Sequence, residues 1–305
     1  MKFYPNSIKM AIYGIVLLCG GWLSWGTLLT EHLSLTVSHA KAATRPASSL
    51  LLETSADTLI DRIIILSGLQ KQIEDIGSKI LQEIKQSPDR PDDPAVAREM
   101  EKIVMESFKS EHFHHRLRKA LKTGSTLERL EILAQSFSAP HMRKITEIEG
   151  REFDLNAFEG FIQGVIQKPL PTNRLRLLQA LESVTYTTHF AIELTAGLKR
   201  AMRMAIINGD DATMTAIDIE LNAHKKKTTE NMYQAMILTM AYVYQELDDL
   251  ELEAYVQFYL TEEGEWFITQ AVNALSDTFR DGSFQIEKRM LELVNEKKPY
   301  TDPTP

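Results

Sequence analysis

Apolar residues recur at intervals of three and four along most of this chain, and that spacing is the strongest constraint on its fold. Between residues 73 and 84, for example, Ile76, Ile80 and Ile84 would line one face of a helix. No stretch alternates apolar and polar residues between hairpin turns, so strands are predicted to be absent or minor. The sequence therefore predicts an all-α fold, an elongated bundle of antiparallel helical hairpins.

Prolines and capping residues divide the helical pattern into segments. Residues 87–94 contain three prolines and are predicted to form a loop. Ser125 with Glu128, and Asp248 with Glu251, have the spacing of a capping box, in which side chains bind the first backbone N–H groups of a helix. A helix is therefore predicted to begin after each pair.

The longest helices are predicted in the second half of the chain. Residues 173–208 and 215–247 carry long apolar stripes, and these two helices are expected to pack antiparallel as a spine. Gly282 is predicted to separate the last helix from the one before it. Residues 43–298 would then form one all-helical domain, followed by a disordered tail at 299–305.

The first 42 residues have the pattern of an export signal. Lys2 and Lys9 precede an apolar run at residues 10–29, and the small-residue pattern Ala-Lys-Ala follows at 40–42. The run is also long enough to span a bilayer, so residues 1–42 are either a signal peptide or an N-terminal membrane anchor. Both alternatives keep the basic end in the cytoplasm. The remaining chain is therefore expected to be periplasmic or exported, or anchored in the inner membrane and facing the periplasm.

Cysteine content and charge exclude several classes of function. Cys19 is the only cysteine and lies in the leader, so the mature chain would have neither disulfides nor thiol catalysis. Removing residues 1–42 reduces the 34 basic residues to 31 and the 42 acidic residues to 41, for a net charge of −10. Nucleic acid is not expected as a partner, because its phosphates require a basic surface.

A weak internal repeat relates two stretches of the chain at an offset of 122 residues. It aligns Thr126 with Asp248 as helix caps. Either the chain has two related halves, about 50–168 and 172–298, or two amphipathic helices align by chance. The apolar positions that correspond are Leu130 with Leu252, Leu133 with Tyr255, Phe137 with Tyr259, and Ile145 with Phe267.

The second copy of this repeat also resembles a known family. Residues 247–259 (LDDLELEAYVQFY), followed by Gly264, are similar to the signature of the domain of unknown function 2059 family. That signature is a capped helix ending in an aromatic pair, a Ser-Pro-x-Gly break and a second helix. The chain departs from it, with Met142 in place of the glycine in the first copy and Thr261-Glu262 in place of Ser-Pro in the second.

This resemblance covers about residues 125–146 and 248–275, and residues 66–73 resemble the family's opening hairpin. It implies an exported, all-helical bacterial protein. It implies no catalytic residue and no cofactor, because the family carries no established site that could be transferred to this chain.

A small cluster of histidines is the candidate metal site. On a helix, His112 and His115 share one face, and Glu111 lies one turn before His115. Neutral imidazoles at this spacing can bind zinc or copper. The sequence lacks the further ligands that a complete site needs, so a polar helix start is the alternative.

The repeated helix pair supplies a candidate binding face, made of Leu252, Tyr255, Tyr259 and Phe267. The favoured function is a non-enzymatic envelope protein that binds a partner protein or an apolar ligand through an apolar helical groove, without a cofactor. The membrane would be contacted only through an uncleaved N-terminal segment. A hydrolase or other enzyme acting on cell-wall or lipid material is one alternative, and a metal-binding periplasmic protein is another.

Overall fold

The computed structural model describes residues 55–86, 93–193, 195–196, 219 and 229–296. Within these ranges the chain is almost entirely helical and has no strand, which confirms the predicted all-α fold. None of the helices in this part of the chain is long and apolar enough to cross a membrane. The predicted leader at 1–42 and the predicted tail at 299–305 lie outside the described residues.

Ten helices of the described chain have well-defined bounds, and two further helical stretches, 187–193 and 229–243, lie between the eighth and the ninth. The ten helices are α1 (Ala56–Leu66), α2 (Leu69–Gln86), α3 (Pro94–Ser107), α4 (Ser110–Lys122), α5 (Leu127–Ser138), α6 (Pro140–Glu149), α7 (Leu155–Gln167), α8 (Thr172–Thr185), α9 (Asp249–Tyr259) and α10 (Glu262–Glu296).

Side-chain caps fix where several of these helices begin. Asp248 caps α9 as predicted: its carboxylate accepts the N–H of Glu251, and the Glu251 carboxylate accepts the N–H of Asp248. The cap predicted at Ser125 is wrong by one residue. Thr126 caps α5 instead, because its hydroxyl accepts the N–H of Arg129 at 3.2 Å.

One large apolar core joins most of the helices into a bundle. In it, α1 packs against α4 and α5, α10 packs along α3 and α4, and α8 packs against α9. The rings of Phe108, Phe113 and Phe279 meet where α10 crosses α4, with the centroids of Phe113 and Phe279 5.0 Å apart. This packing holds the two halves of the chain together.

The break predicted at Gly282 is wrong, because α10 runs without interruption through it. A Cβ atom at Gly282 would lie 2.3 Å from Cε1 of the Phe108 ring. The glycine therefore makes room for a buried ring rather than ending a helix.

The single helix predicted for residues 173–208 is also wrong, because α8 ends at Thr185. The next residue, Tyr186, has left-handed backbone angles (φ 54°, ψ 27°), which no other non-glycine residue shows in the described chain. Helical structure resumes at 187. In the partner stretch predicted at 215–247, the described helix covers 229–243.

The two copies of the repeat have the same helical register. Helices α5 and α9 begin 122 residues apart, and so do α6 and α10. All eight corresponding apolar side chains are buried. The copies differ at their ends, since α6 stops after 10 residues and α10 continues for 35. The last residue of α6 is Glu149, and Gly150 directly follows it.

Candidate functional site

A carboxyl group surrounded by phenols is the most unusual feature of the interior. Oε1 of Glu149, the last residue of α6, accepts hydrogen bonds from the hydroxyls of Tyr244 (2.7 Å) and Tyr255 (2.8 Å). The hydroxyl of Tyr259 lies 3.2 Å from that of Tyr255. Residues from three separate parts of the chain therefore meet at one carboxyl group.

Burial governs the protonation of this cluster. Protein atoms crowd the Glu149 carboxyl and raise its pKa above the usual 4.5, because a low-dielectric environment disfavours the charged form. The hydrogen bonds from Tyr244 and Tyr255 oppose that shift. Burial also raises the pKa of Tyr255 and Tyr259, and the nearby Glu149 carboxyl adds to both shifts. The phenols of Tyr255 and Tyr259 therefore remain neutral at physiological pH.

A cavity of about 120 Å³ lies against this cluster. Its buried wall includes Tyr255, Tyr259 and Phe267, whereas Ser67 and Gln72 are half-buried. Glu149 itself is half-buried. The remaining lining residues are Leu69, Thr185, Thr187, Phe190, Met240, Tyr244, Ile268, Ala271, Val272 and Leu275.

The kink at Tyr186 shapes one side of this cavity. Two residues separated by one position point in different directions on a regular helix, yet Thr185 and Thr187 both line the cavity. Their hydroxyls lie 2.6 Å apart and share a hydrogen bond. Left-handed backbone angles are strained for a bulky residue such as Tyr186. The strain therefore coincides with the placement of two hydroxyl groups on the cavity wall.

Arg174 holds the backbone that carries one of the phenols. Its guanidinium donates to the carbonyl oxygen of Tyr244 and, at 3.2 Å, to Oδ1 of Asp249, and only 9% of Arg174 is exposed. The side chain therefore joins α8, the turn at Tyr244 and the start of α9. These contacts hold the backbone from which the Tyr244 side chain extends to Glu149.

The predicted binding face lies in the interior of the bundle. Leu252 is fully buried in the core, while Tyr255, Tyr259 and Phe267 are 6%, 7% and 2% exposed and line the cavity. They are therefore part of the packed interior, and Tyr255, Tyr259 and Phe267 border a small cavity there instead of forming an exposed apolar face.

The predicted metal candidates lie elsewhere, at the start of α4. Glu111 and His112 are exposed, and His112 and His115 line a surface groove of about 630 Å³. Two charged residues of this groove, Arg116 and Asp281, form an ion pair. No group of three or more His, Cys, Asp or Glu side chains is arranged to hold a metal ion in the described ranges.

Reasoning from the sequence missed Glu149, although a signal exists. Met142, Ile145 and Ile148 are the buried stripe of α6, and Glu149 is four residues after Ile145. On a helix this position belongs to the apolar face. A carboxyl group at such a position marks either a helix end or a buried acid. Gly150 follows directly, and because glycine commonly ends a helix, the sequence alone favoured the first of these.

Comparison of the chain with protein-family models, with curated proteins and with solved structures finds no match.

Proposed function

We propose that this chain is an exported, non-enzymatic binding protein whose ligand site is the cavity beside Glu149. One observation carries the proposal: a single carboxyl group, held by the phenols of Tyr244 and Tyr255, lies on the wall of a cavity lined mainly by apolar side chains. A few placed polar groups in an otherwise apolar concavity are typical of small-ligand sites.

The composition of the wall favours binding over hydrolysis. Enzymes that hydrolyse glycosidic bonds use a pair of carboxyl groups on either side of the bond. Among the described residues, the cavity wall has one carboxyl group, Glu149, and no histidine, lysine or cysteine. The hydroxyls of Ser67, Thr185 and Thr187 therefore lack a histidine on this wall, the base that commonly activates a hydroxyl nucleophile.

The same site changes the expected mode of binding. The apolar face formed by Leu252, Tyr255, Tyr259 and Phe267 is buried, so we place the ligand in the cavity that three of these residues line instead of on an exposed helical face. Export of the domain stays part of the proposal, supported by the basic and apolar leader in the sequence.

Ligand retention in a cavity-filling variant tests this function. Ala271 lines the cavity and is 2% exposed, so Ala271→Leu should fill much of the space. Native mass spectrometry of the purified protein should show a bound small molecule that the variant lacks. The matched control is Ala254→Leu, which adds the same side chain at an exposed position of α9. Equal retention in Ala271→Leu, or no bound molecule in either protein, would contradict the proposal.

A further inference from the structure

The Glu149 carboxyl group has no counterion among the residues that the structure describes. No basic side chain pairs with it there, and its hydrogen-bond partners in those ranges are two phenols. Close to the carboxyl group, Lys71 Nζ donates to the backbone carbonyl oxygen of Gly150 at 3.2 Å. An ionised carboxylate in such a site is costly unless a cation accompanies it.

One oxygen of the carboxyl group remains available to a ligand. Both phenols donate to Oε1, and Oε2 makes no hydrogen bond within the described part of the chain. Further acceptors line the same cavity, namely the hydroxyls of Ser67, Thr185 and Thr187 and the amide oxygen of Gln72. A ligand with several N–H donors therefore has acceptors on this wall besides Oε2.

The rest of the wall also favours a positive charge. Aromatic rings attract cations through the negative electrostatic potential of their faces, and the wall carries five such rings. Two pairs of them pack closely, with centroids 5.1 Å apart for Tyr255 and Tyr259 and 6.1 Å apart for Tyr244 and Tyr255. The other two rings are those of Phe190 and Phe267.

The cavity limits the size of its occupant. Its volume is about 120 Å³. Ligands of ordinary drug size occupy pockets of about 300 Å³ or more. The occupant is therefore a small molecule or the small end group of a larger one.

We infer that the cavity binds a small primary ammonium group, with the N–H donors on Glu149 Oε2 and the neighbouring hydroxyls and the charge against the tyrosine and phenylalanine rings. This inference rests on the proposed function and names its ligand class. Once Glu149 is ionised, its carboxylate would repel an anion, and an apolar ligand would leave that charge without a partner.

Propylammonium is a suitable probe, with 1-propanol as a neutral ligand of the same number of non-hydrogen atoms. Binding is measured by titration calorimetry and by the shift of the thermal midpoint at pH 8. Propylammonium should bind, and Glu149→Gln should weaken it about 30-fold or more, as expected for removing one partner of a buried charge pair. The carbonyl oxygen of the introduced amide can still accept both phenol hydrogen bonds, so this variant removes the charge with little change in packing. The matched control is Glu147→Gln, which removes an exposed carboxyl group from the same helix.

A pH series on the unmodified protein provides a second test that needs no variant. Affinity for propylammonium should fall as the pH is lowered and Glu149 becomes protonated. The other titratable groups among the described residues of the cavity wall are the phenols of Tyr244, Tyr255 and Tyr259, and phenols stay neutral between pH 4 and pH 8. An affinity that does not change over this range would overturn the inference.

The remaining outcomes separate the ligand class from the proposed function. If 1-propanol binds as well as propylammonium, and Ala271→Leu abolishes both, the cavity is a ligand site but the inference of an ammonium group is wrong. If neither probe binds and Ala271→Leu retains the same molecules as the unmodified protein, the proposed function fails as well.

Discussion

The hydroxyl of Tyr255 donates a 2.8 Å hydrogen bond to Oε1 of Glu149, which is 106 residues earlier in the chain. The bond connects the end of α6 to the middle of α9, the first helix in the second copy of the repeat. A second phenol, Tyr244, donates to the same oxygen from the preceding turn. The cluster therefore joins both copies of the repeat, and its protonation should affect the stability of the whole bundle.

Replacing Glu149 with glutamine should make the protein less sensitive to pH. The folded-state pKa of Glu149 is raised above 4.5, so the folded protein holds its proton at pH values where the unfolded chain has lost it. Stability contributed by this group is therefore present below about pH 4.5 and is lost as the pH rises through the raised pKa. Urea melts between pH 4 and pH 8 should show Glu149→Gln gaining stability relative to the parent as the pH rises. A parallel series on Glu147→Gln measures the effect of removing an exposed carboxyl group, and identical slopes for the two variants would contradict this account.

Two substitutions at Tyr255 should measure separately how much its hydrogen bond and its ring packing contribute to the free energy of unfolding. Tyr255→Phe removes one donor to Glu149 and should cost about 1–2 kcal/mol. Tyr255→Ala also empties a position that is 6% exposed and should cost about 3–5 kcal/mol. Glu253→Ala, on the exposed side of α9, should change the free energy of unfolding by less than about 0.5 kcal/mol. Urea melts of the three variants test this order, and a Tyr255→Ala melt that matches the parent would disprove it.

Features set by neighbouring residues were predicted well from the sequence. The cap at Asp248 follows from contacts within one helical turn, which the spacing of residues records directly. The helices of the two aligned stretches begin 122 residues apart, the same offset that relates them in the sequence.

Features set by distant contacts were not predicted. Gly282 could not be distinguished from a helix break, because the Phe108 ring that requires it comes from another part of the chain. The kink at Tyr186 carries neither glycine nor proline, so no local signal marks it. Glu149 becomes a buried acid only because Tyr244 and Tyr255 converge on it, and periodicity along one helix does not show which other helix it meets.

Gly264 should tolerate no side chain, although it lies in a regular helix. A Cβ atom there would be 2.0 Å from the carbonyl oxygen of Phe258, and backbone cannot move aside as a flexible side chain can. Gly264→Ala should therefore destabilise the protein by about 3 kcal/mol or more, at or above the usual cost of overpacking.

The matched control is Gly160→Ala in α7, where no described atom lies within 4 Å of the added Cβ atom. That change should stabilise by about 0.5–1 kcal/mol, because alanine favours the helix. Thermal and urea melts of both variants test the contrast, and equal effects would contradict it.

Lys79 should give the protein a second pH dependence, of the opposite sign to that of Glu149. Its side chain is 12% exposed, and burial lowers its pKa to about 8, despite Asp75 4.0 Å away. Between about pH 8 and pH 10.5 the unfolded chain binds more protons at this position than the folded protein does, so the stability contributed by Lys79 rises with pH. Lys79→Met should therefore be more stable than the parent below pH 8, by up to about 3 kcal/mol, and this advantage should shrink as the pH approaches 10.5.

Comparing the two proteins at each pH cancels the titration of the tyrosines, which both share. Lys102→Met, at an exposed position of α3, controls for the removal of a lysine. A difference between Lys79→Met and the parent that stays constant from pH 7 to pH 10.5 would show that Lys79 is not buried as a charged group.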